Sequence, residues 1–580
     1  MSFFIHEKLN SMDYEDKNIY DEAQMILSTN NAKIDNISKL ITDDIVFKKD
    51  VYITDTFWED FEIEEYILNK CTLNCSKNYV KKFLNSPISD INELQKRQKS
   101  ALQISPKIIQ CLKKLKNYEA DVLWLFSIND LNKSWPISTL FPSFYIINTI
   151  NSIYPLLTAY HTYRGYCMPL MTIIGPLMTL FGPWFYLNKY LKYDITFQKY
   201  VSMIITLTKT LFSTLTLYKK IYMLVYLILI IHSIINSFEQ AKIFRYITSD
   251  LNKKINNIHK FFNIYEYIIN NTNCEIIKPY LPENVDLYEI INNKSLKNLN
   301  PGLCGIYEIL TSMEQKTNIN NMLIIINALQ TCLITRKLIT INKCCIPNFS
   351  NEEDTKIINM GHIKLNKQIR NPVSLDKSLI ITGPNAAGKT TYVKSIGTNQ
   401  ILAQTFGVVL GTKAIIHPVQ FIGSFMRIND ILGDSSLFEA EIKRCSEIVE
   451  IATNIYKNKK NGLIFMDEPM HSTPPIEGSA TTMALIEYIT KMNSIKLVLT
   501  THYHEVTKIT ETNNNIRNIS MTAECNDGEF NFSYRIRNGP SYQSIALELL
   551  KHNNLPDELI KSAIELKNKI CIQYINNDSP

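Results

Sequence analysis

The pattern of apolar and polar positions changes character four times along the 580 residues. Residues 1–133 are polar and mixed in charge, with apolar positions at helical spacing. Residues 134–238 are strongly apolar, and residues 239–350 return to helical, Lys- and Asn-rich sequence with few glycines. From 351 to 540, short apolar runs of strand length alternate with helical stretches, the pattern of an α/β domain. Residues 541–580 give two short helices, Ser541–His552 and Asp557–Ile570, around an Asn-Asn-Leu-Pro turn, and Cys571–Pro580 reads as disordered. No internal repeat is visible. A chain of this length needs about three or four cores.

The apolar region holds three runs without Lys, Arg, Asp or Glu: Ser134–Tyr163, Gly165–Leu187 and Ile221–Phe238. A membrane span needs about 20 apolar residues, so the first two are long enough and the third is marginal. The three prolines of Gly165–Leu187 suit a membrane helix better than a soluble one. Trp184 and Tyr186 stand at its end, where an aromatic belt would be. Asn188–Lys220 carries six lysines against one aspartate and reads as a cytoplasmic loop after a two-helix hairpin. The competing reading is a buried helical core, because hydropathy decides little near the length threshold.

Candidate chemistry lies in the α/β region. Gly383-Pro384-Asn385-Ala386-Ala387-Gly388-Lys389-Thr390-Thr391 contains G-x-x-x-x-G-K-[ST], between the apolar run Ser378–Thr382 and the helical stretch Tyr392–Gln404. A strand, a glycine turn and a helix N-terminus aim several backbone N–H groups at one point, which is how phosphate is held. Lys389 can reach the β/γ-phosphates of ATP as a point charge, and the Thr390 hydroxyl can ligate Mg²⁺. Downstream, Gly462–Met466 is an apolar run ending in Asp467 and Glu468. There Asp467 can hold Mg²⁺ through water and Glu468 can polarise an attacking water. A strand ending in two acids can be a mere turn; its place after a phosphate loop argues for chemistry. A third run, Ile495–Thr501, ends at His502, which can contact the γ-phosphate or its water. A histidine after a strand is often structural when it stands alone, but this one follows the other two motifs in order.

Taken together, these motifs resemble the MutS family, the ATPase clamps of DNA mismatch repair. The loop is similar to that family's G-P-N-M-A-G-K-S-T, with Ala386 for Met and Thr390 for Ser. Arg427 in Phe-Met-Arg-Ile-Asn-Asp resembles the T-R-I-G-A segment, and Ser435–Ile442 resembles S-T-F-M-x-E-M, placing Ser436 and Glu441 on its Ser and Glu. Thr501-His502-Tyr503 is similar to the A-T-H-Y/F switch. Gly539–Ala546 with Leu555, Pro556 and Ala563 resembles the C-terminal dimerisation pattern. More weakly, Asp55–Asp60 and Ser76–Pro87 look like the start of the family's core domain. The likeness covers about residues 50–130 and 240–570. It is greatest to the MutS-like branch whose hydrophobic segments between core and lever are read as membrane-spanning.

The resemblance implies an α+β multidomain fold. It comprises an N-terminal helical core segment (1–133), an apolar helical insert (134–238) as a candidate transmembrane hairpin and a helical lever (239–350). An ATPase domain of the phosphate-loop, ABC type (351–540) and a helix-turn-helix dimerisation tail (541–580) follow. It also implies a homodimer that binds ATP and Mg²⁺, contacts DNA, and uses Ser436 in trans on the partner's nucleotide. Two departures matter. The family's D-E-I-G-R-G-T-S becomes Asp467-Glu-Pro-Met-His-Ser-Thr-Pro474, so subunit coupling is expected to differ. The mismatch-reading domain and its Phe-x-Glu wedge are absent; Phe57-Trp58-Glu59 has the letters but sits in the core segment.

Composition changes the picture little. A net charge of +6 permits nucleic-acid binding without arguing for it. DNA contact is assigned to lysines such as Lys253 and Lys254, which read equally as a solvated helix face. The twelve cysteines are scattered without zinc-site spacing, so reduced thiols inside the cell are expected. No signal peptide opens the chain. A transporter nucleotide-binding subunit is disfavoured because no L-S-G-G-Q segment occurs.

Overall fold

The structure is a computed structural model that describes residues 28, 31–128, 140–141, 148–292, 300–341, 344–426, 437–526, 529–543, 556 and 558–566. It is a mixed α+β chain divided into two compact units. One unit is helical and comprises residues 1–41, 111–271 and 288–324. The other comprises residues 42–110, 272–287 and 325–580 and contains both sheets.

The strands, in chain order, are β1 (Tyr52–Ile53), β2 (Asn348–Phe349), β3 (Lys356–Met360), β4 (Asn371–Ser374), β5 (Ser378–Thr382), β6 (Lys413–Ile416), β7 (Phe421–Phe425), β8 (Gly462–Asp467), β9 (Ile495–Thr500), β10 (Ile516–Asn526) and β11 (Glu529–Asn538). The main sheet has the order β1-β7-β8-β9-β5-β10-β11, parallel throughout except for the β10–β11 hairpin. Every residue of β5, β7 and β8 is buried, which explains their unbroken apolar runs: a parallel strand covered on both faces has no polar side to show. A smaller sheet, β2-β6-β3-β4, lies beside it in sequence. β8 and β9 reach the centre of the main sheet on one side of β5, and β10 is added on the other. The C-terminal ends at β5 and β9 therefore form the crevice where ligands bind in such sheets.

The N-terminal segment closes this sheet. β1 adds a strand to β7, and the helix Thr56–Phe61 buries Phe57 and Phe61. Phe61 packs on Phe465 of β8 with ring centroids 5.3 Å apart, and on Gly397 of the helix Lys389–Phe406, where a Cβ would sit 2.2 Å from its ring. Phe57 is fully buried and stacked on Phe61 at 4.1 Å, so its side chain is a core group and not an exposed wedge. Arg97 is buried, with its guanidinium pushed down to about 10 by burial; it donates to the Thr405 carbonyl at 2.8 Å and the Pro279 carbonyl at 3.2 Å. It thereby satisfies the C-terminal end of the helix Lys389–Phe406.

In the helical unit, the helix Leu217–Asn270 runs unbroken through the boundary that composition places at 238/239. Its C-terminal half is core: Leu251, Ile255, Ile258, Phe261 and Ile268 are buried. Lys254 is held there by Asp121 at 3.0 Å and lies over Trp124, so this lysine is structural. Its N-terminal half is different. Ile221 to Leu229 are consecutive large apolar residues, each about half exposed or more. Likewise, the 36-residue helical stretch Tyr154–Lys189 buries nothing across its most apolar window. Both are long and apolar enough to cross a membrane, as is Met313–Thr340, whose window is 83% buried. Residues 134–139 and 142–147 of the first expected run, Ser134–Tyr163, lie outside the described residues. The segment read as a loop, 188–220, contains the helix Phe197–Thr214 with exposed Met203, Ile205, Leu207, Leu211 and Phe212. In the C-terminal segment expected to pair subunits (541–580), residues 544–555, 557 and 567–580 lie outside the described residues. Ten of the cysteines in the described residues are free thiols.

Candidate functional site

The turn after β5 is built by backbone conformations that few residues tolerate. Gly383 has φ +144°, and a Cβ there would lie 2.2 Å from the Met521 carbonyl oxygen of β10. Gly388 has φ +99° and lies under Tyr534, and Ala386 has φ 67°. Asn385 and Ala386 are exposed at the rim, while Pro384 and Ala387 are buried beneath it. Gly388 starts the helix Lys389–Phe406. Thr390 and Thr391 are exposed in its first turn, and the Thr391 carbonyl accepts from Ser395.

Lys389 is 5% exposed. Its Nζ donates to the carbonyls of Gly383 at 2.9 Å and Pro384 at 3.4 Å, and lies 3.7 Å from Glu468 Oε1. Burial lowers the Lys389 ammonium below the ordinary lysine range, and the neighbouring Glu468 and Asp467 carboxylates pull it back up. Asp467, at the end of β8, accepts the Thr390 hydroxyl at 2.9 Å on one oxygen and the Thr500 hydroxyl on the other. Glu468 takes φ 52°, an uncommon conformation for its type, and is fixed there because its N–H reaches both the Thr500 carbonyl and hydroxyl at 3.1 Å. That turn puts Glu468 Oε1 2.6 Å from His502 Nε2. The structure thus brings Lys389, Thr390, Asp467, Glu468 and His502 together from three strand ends. Ser436 and Arg427 lie outside the described residues.

The altered loop after Glu468 is tied down by contacts of its own. Tyr503 donates to the Met470 carbonyl at 2.9 Å, and Ser472 donates its hydroxyl to the buried Glu441 at 2.6 Å. Sequence reasoning missed Thr500, which orients both acids; a Thr closing a β-branched strand carries no distinguishing signal. It also missed the far wall of the site. A cavity of about 1200 Å³ runs from the loop past Met360, His362 and Ile369 to Tyr534. The β10–β11 hairpin that carries Tyr534 is locked by Asn371, which donates to the Tyr534 carbonyl at 2.8 Å and accepts from Ile536 N–H at 3.0 Å.

These features fit a nucleoside triphosphate with a divalent cation. Gly383 has no room for a Cβ against the Met521 carbonyl, the lysine is buried at the turn, and a hydroxyl and a carboxylate already share one point. The cavity exceeds the roughly 300–1,000 Å³ typical of ligand pockets. Gly383, Pro384, Asn385, Ala386, Ala387, Gly388, Lys389, Thr390 and Thr391 could hold the phosphates, and Thr390 with Asp467 the Mg²⁺.

A glycine-turn loop facing two acids and a histidine across a parallel sheet defines the class of site. Comparison with known proteins supplies the lineage. Residues 379–571 match the family model for MutS domain V. The DNA mismatch repair protein MutS of Clostridium perfringens is 33% identical over 235 residues, 38% of this chain and 25% of that protein. That of Prochlorococcus marinus is 32% identical over 35% of this chain and 22% of that protein. The DNA mismatch repair protein spellchecker 1 of Drosophila melanogaster is 29% identical over 34% and 21%. The likeness to the MutS family is thus carried by the C-terminal part of the chain. The chain spans about a quarter of the length of these relatives.

Proposed function

We propose that the protein is a MutS-like ATPase that pairs with a second copy through its nucleotide domains and tail, and acts on DNA. The observation that carries this reading is the convergence of Lys389, Thr390, Asp467, Glu468 and His502 at the C-terminal ends of β5, β8 and β9. ATP with Mg²⁺ would supply a phosphoanhydride whose cleavage drives switching between two states. Lys389 neutralises phosphate charge, Thr390 and Asp467 bind the cation, Glu468 takes a proton from water, and His502 orients Glu468. Ser436 acts on the partner's nucleotide, and Tyr534 offers a flat apolar face for the base. The relatives are named for DNA mismatch repair; that role, extended to branched DNA, is the one proposed here. Lys389→Ala should abolish nucleotide binding, whereas Glu468→Gln should bind ATP without turning it over. Full turnover by Glu468→Gln would remove its role. A gel-shift series of matched, mismatched and branched duplexes, with and without ATP, tests the DNA partner.

A second reading is favoured by the exposed apolar helices: a membrane-anchored MutS-related ATPase without mismatch recognition, its ATPase domain cytoplasmic. From Ile221 to Ile231 the helix Leu217–Asn270 is apolar on every side. A protein partner would need to cover only one stripe, whereas lipid surrounds a helix completely. Carbonate extraction separates the readings: the anchored protein stays in the pellet, and release into the supernatant ends this reading.

A further inference from the structure

At the foot of the exposed apolar helices, the helical unit holds a second cavity of about 490 Å³, remote in sequence from the phosphate-binding turn. One wall is a single face of the helix Leu217–Asn270: Arg245, Ser249, Asn252 and Lys253 fall at i, i+4, i+7 and i+8. The opposite wall is the helix Tyr154–Thr162 with Tyr166, and Leu303 closes a side. The cavity is lined by two cations and by no carboxylate among the described residues. Arg245 is held in place, donating to the Gly165 carbonyl at 2.6 Å and lying over the Tyr166 ring at 5.1 Å, yet it makes no ion pair among the described residues. Lys253 is exposed and has no ion pair among them either. Its neighbour Lys254, by contrast, is engaged by Asp121. An arginine fixed by neutral groups, with a lysine eight residues along the same face, presents positive charge to whatever enters.

Position selects among anions. The charge-free run of this helix ends at Phe238, seven residues before Arg245 and so about 10 Å away along the axis. In the adjoining helix the uncharged run begins at Gly165, the residue Arg245 bonds. The cavity therefore lies at the level where a bilayer's phosphates would be if those runs are in the hydrocarbon. Tyr154, Leu157, Tyr166 and Leu303 give it apolar walls beside its cationic ones, which suits an amphiphile. A nucleic-acid duplex would instead need a stripe of phosphate contacts.

We propose that this cavity binds the phosphate-bearing headgroup of an anionic phospholipid, with Arg245 and Lys253 as its cationic contacts. The proposal rests on the membrane-anchored reading, but its test is separate from carbonate extraction. Full-length protein in neutral detergent is titrated with phosphatidic acid or phosphatidylcholine, and bound lipid is counted by native mass spectrometry. Phosphatidic acid should bind about tenfold tighter or more, the worth of a charge-assisted contact. Arg245→Gln and Lys253→Gln should each remove most of that preference. Lys253→Gln guards against misfolding, since Lys253 makes no hydrogen bond or ion pair among the described residues. Equal binding of the two lipids, or a preference unchanged in both variants, would overturn the proposal. So would displacement of phosphatidic acid by an equal concentration of inorganic phosphate, which marks a free-phosphate site, or by a short DNA duplex.

Discussion

Gly383→Ala gives the most direct test of how the turn after β5 is built. The new Cβ would lie 2.2 Å from the Met521 carbonyl oxygen, about 1 Å closer than van der Waals contact allows, and its neighbour is backbone that cannot rotate away. Relief requires β5 and β10 to part near their last paired residues, Thr382 and Ser520. Side-chain-bearing residues at φ +144° add strain of about 1–3 kcal/mol. Overpacking adds about 1–3 kcal/mol more, for a sum of about 2–6 kcal/mol, centred near 4. Gly388→Ala is the control. Its φ of +99° is also strained, but its Cβ would meet only the Tyr534 ring at 3.3 Å and the Met521 sulfur at 3.7 Å, both side chains that can shift. Its cost should be about 1–3 kcal/mol. Hydrogen exchange of the β10 amides in the full chain reads the difference, since local opening free energy sets the rate. Gly383→Ala should speed exchange about 100-fold or more, and Gly388→Ala about tenfold less than that. An exchange rate in Gly383→Ala within threefold of the unmodified protein, or a reversed order of the two variants, would refute the steric argument.

Other predictions follow from buried polar groups in the same unit. Burial, aided by Lys364 and Lys394, holds the His362 imidazole down to about 4 from an ordinary 6.5, and its Nδ1 accepts from Lys364 N–H at 3.3 Å. Between those values the unfolded chain binds more protons than the folded one. Stability should therefore rise with pH from about 4 to 6.5, and limited proteolysis at the two ends of that range should show less of the slope in His362→Gln. Asp60 accepts from both Arg444 and Ser424 in a mostly buried cluster. Asp60→Ala should cost about 3–5 kcal/mol in urea unfolding by stranding Arg444, while Asp60→Leu with Arg444→Met should recover most of the loss.

The glycine turn after β5 and the two acids were legible in the sequence because they are marked by residue type at fixed local spacing. A glycine is required where a β5 carbon would meet β10, and an acid where β8 ends. Thr500 was not legible, because its value lies in where β9 sits relative to β8. The two-residue β1 could not be read either: its pairing with β7 crosses more than 360 positions, and nothing local marks it. The apolar helices show the limit most plainly. Tyr154–Lys189 and Met313–Thr340 have nearly equal mean hydropathy, 1.4 and 1.5, yet the most apolar window of the first is bare and that of the second is 83% buried. The difference lies in what surrounds each helix, and periodicity within a helix does not report its neighbours. The same limit separates Lys253 from Lys254: adjacent on one helix, only the second meets an acid.

The helix Leu217–Asn270 contains neither proline nor glycine over its 54 residues, so it is a rod about 80 Å long. The companion helix Met168–Lys189 carries Pro176 and Pro183 inside it and can flex. The stiff member joins a fully packed end to a bare apolar end without an intervening hinge. A tilt of only about 5° at the packed end would sweep the bare end sideways by roughly 7 Å, so small rearrangements of the helical core would be magnified at the far tip rather than absorbed along the way.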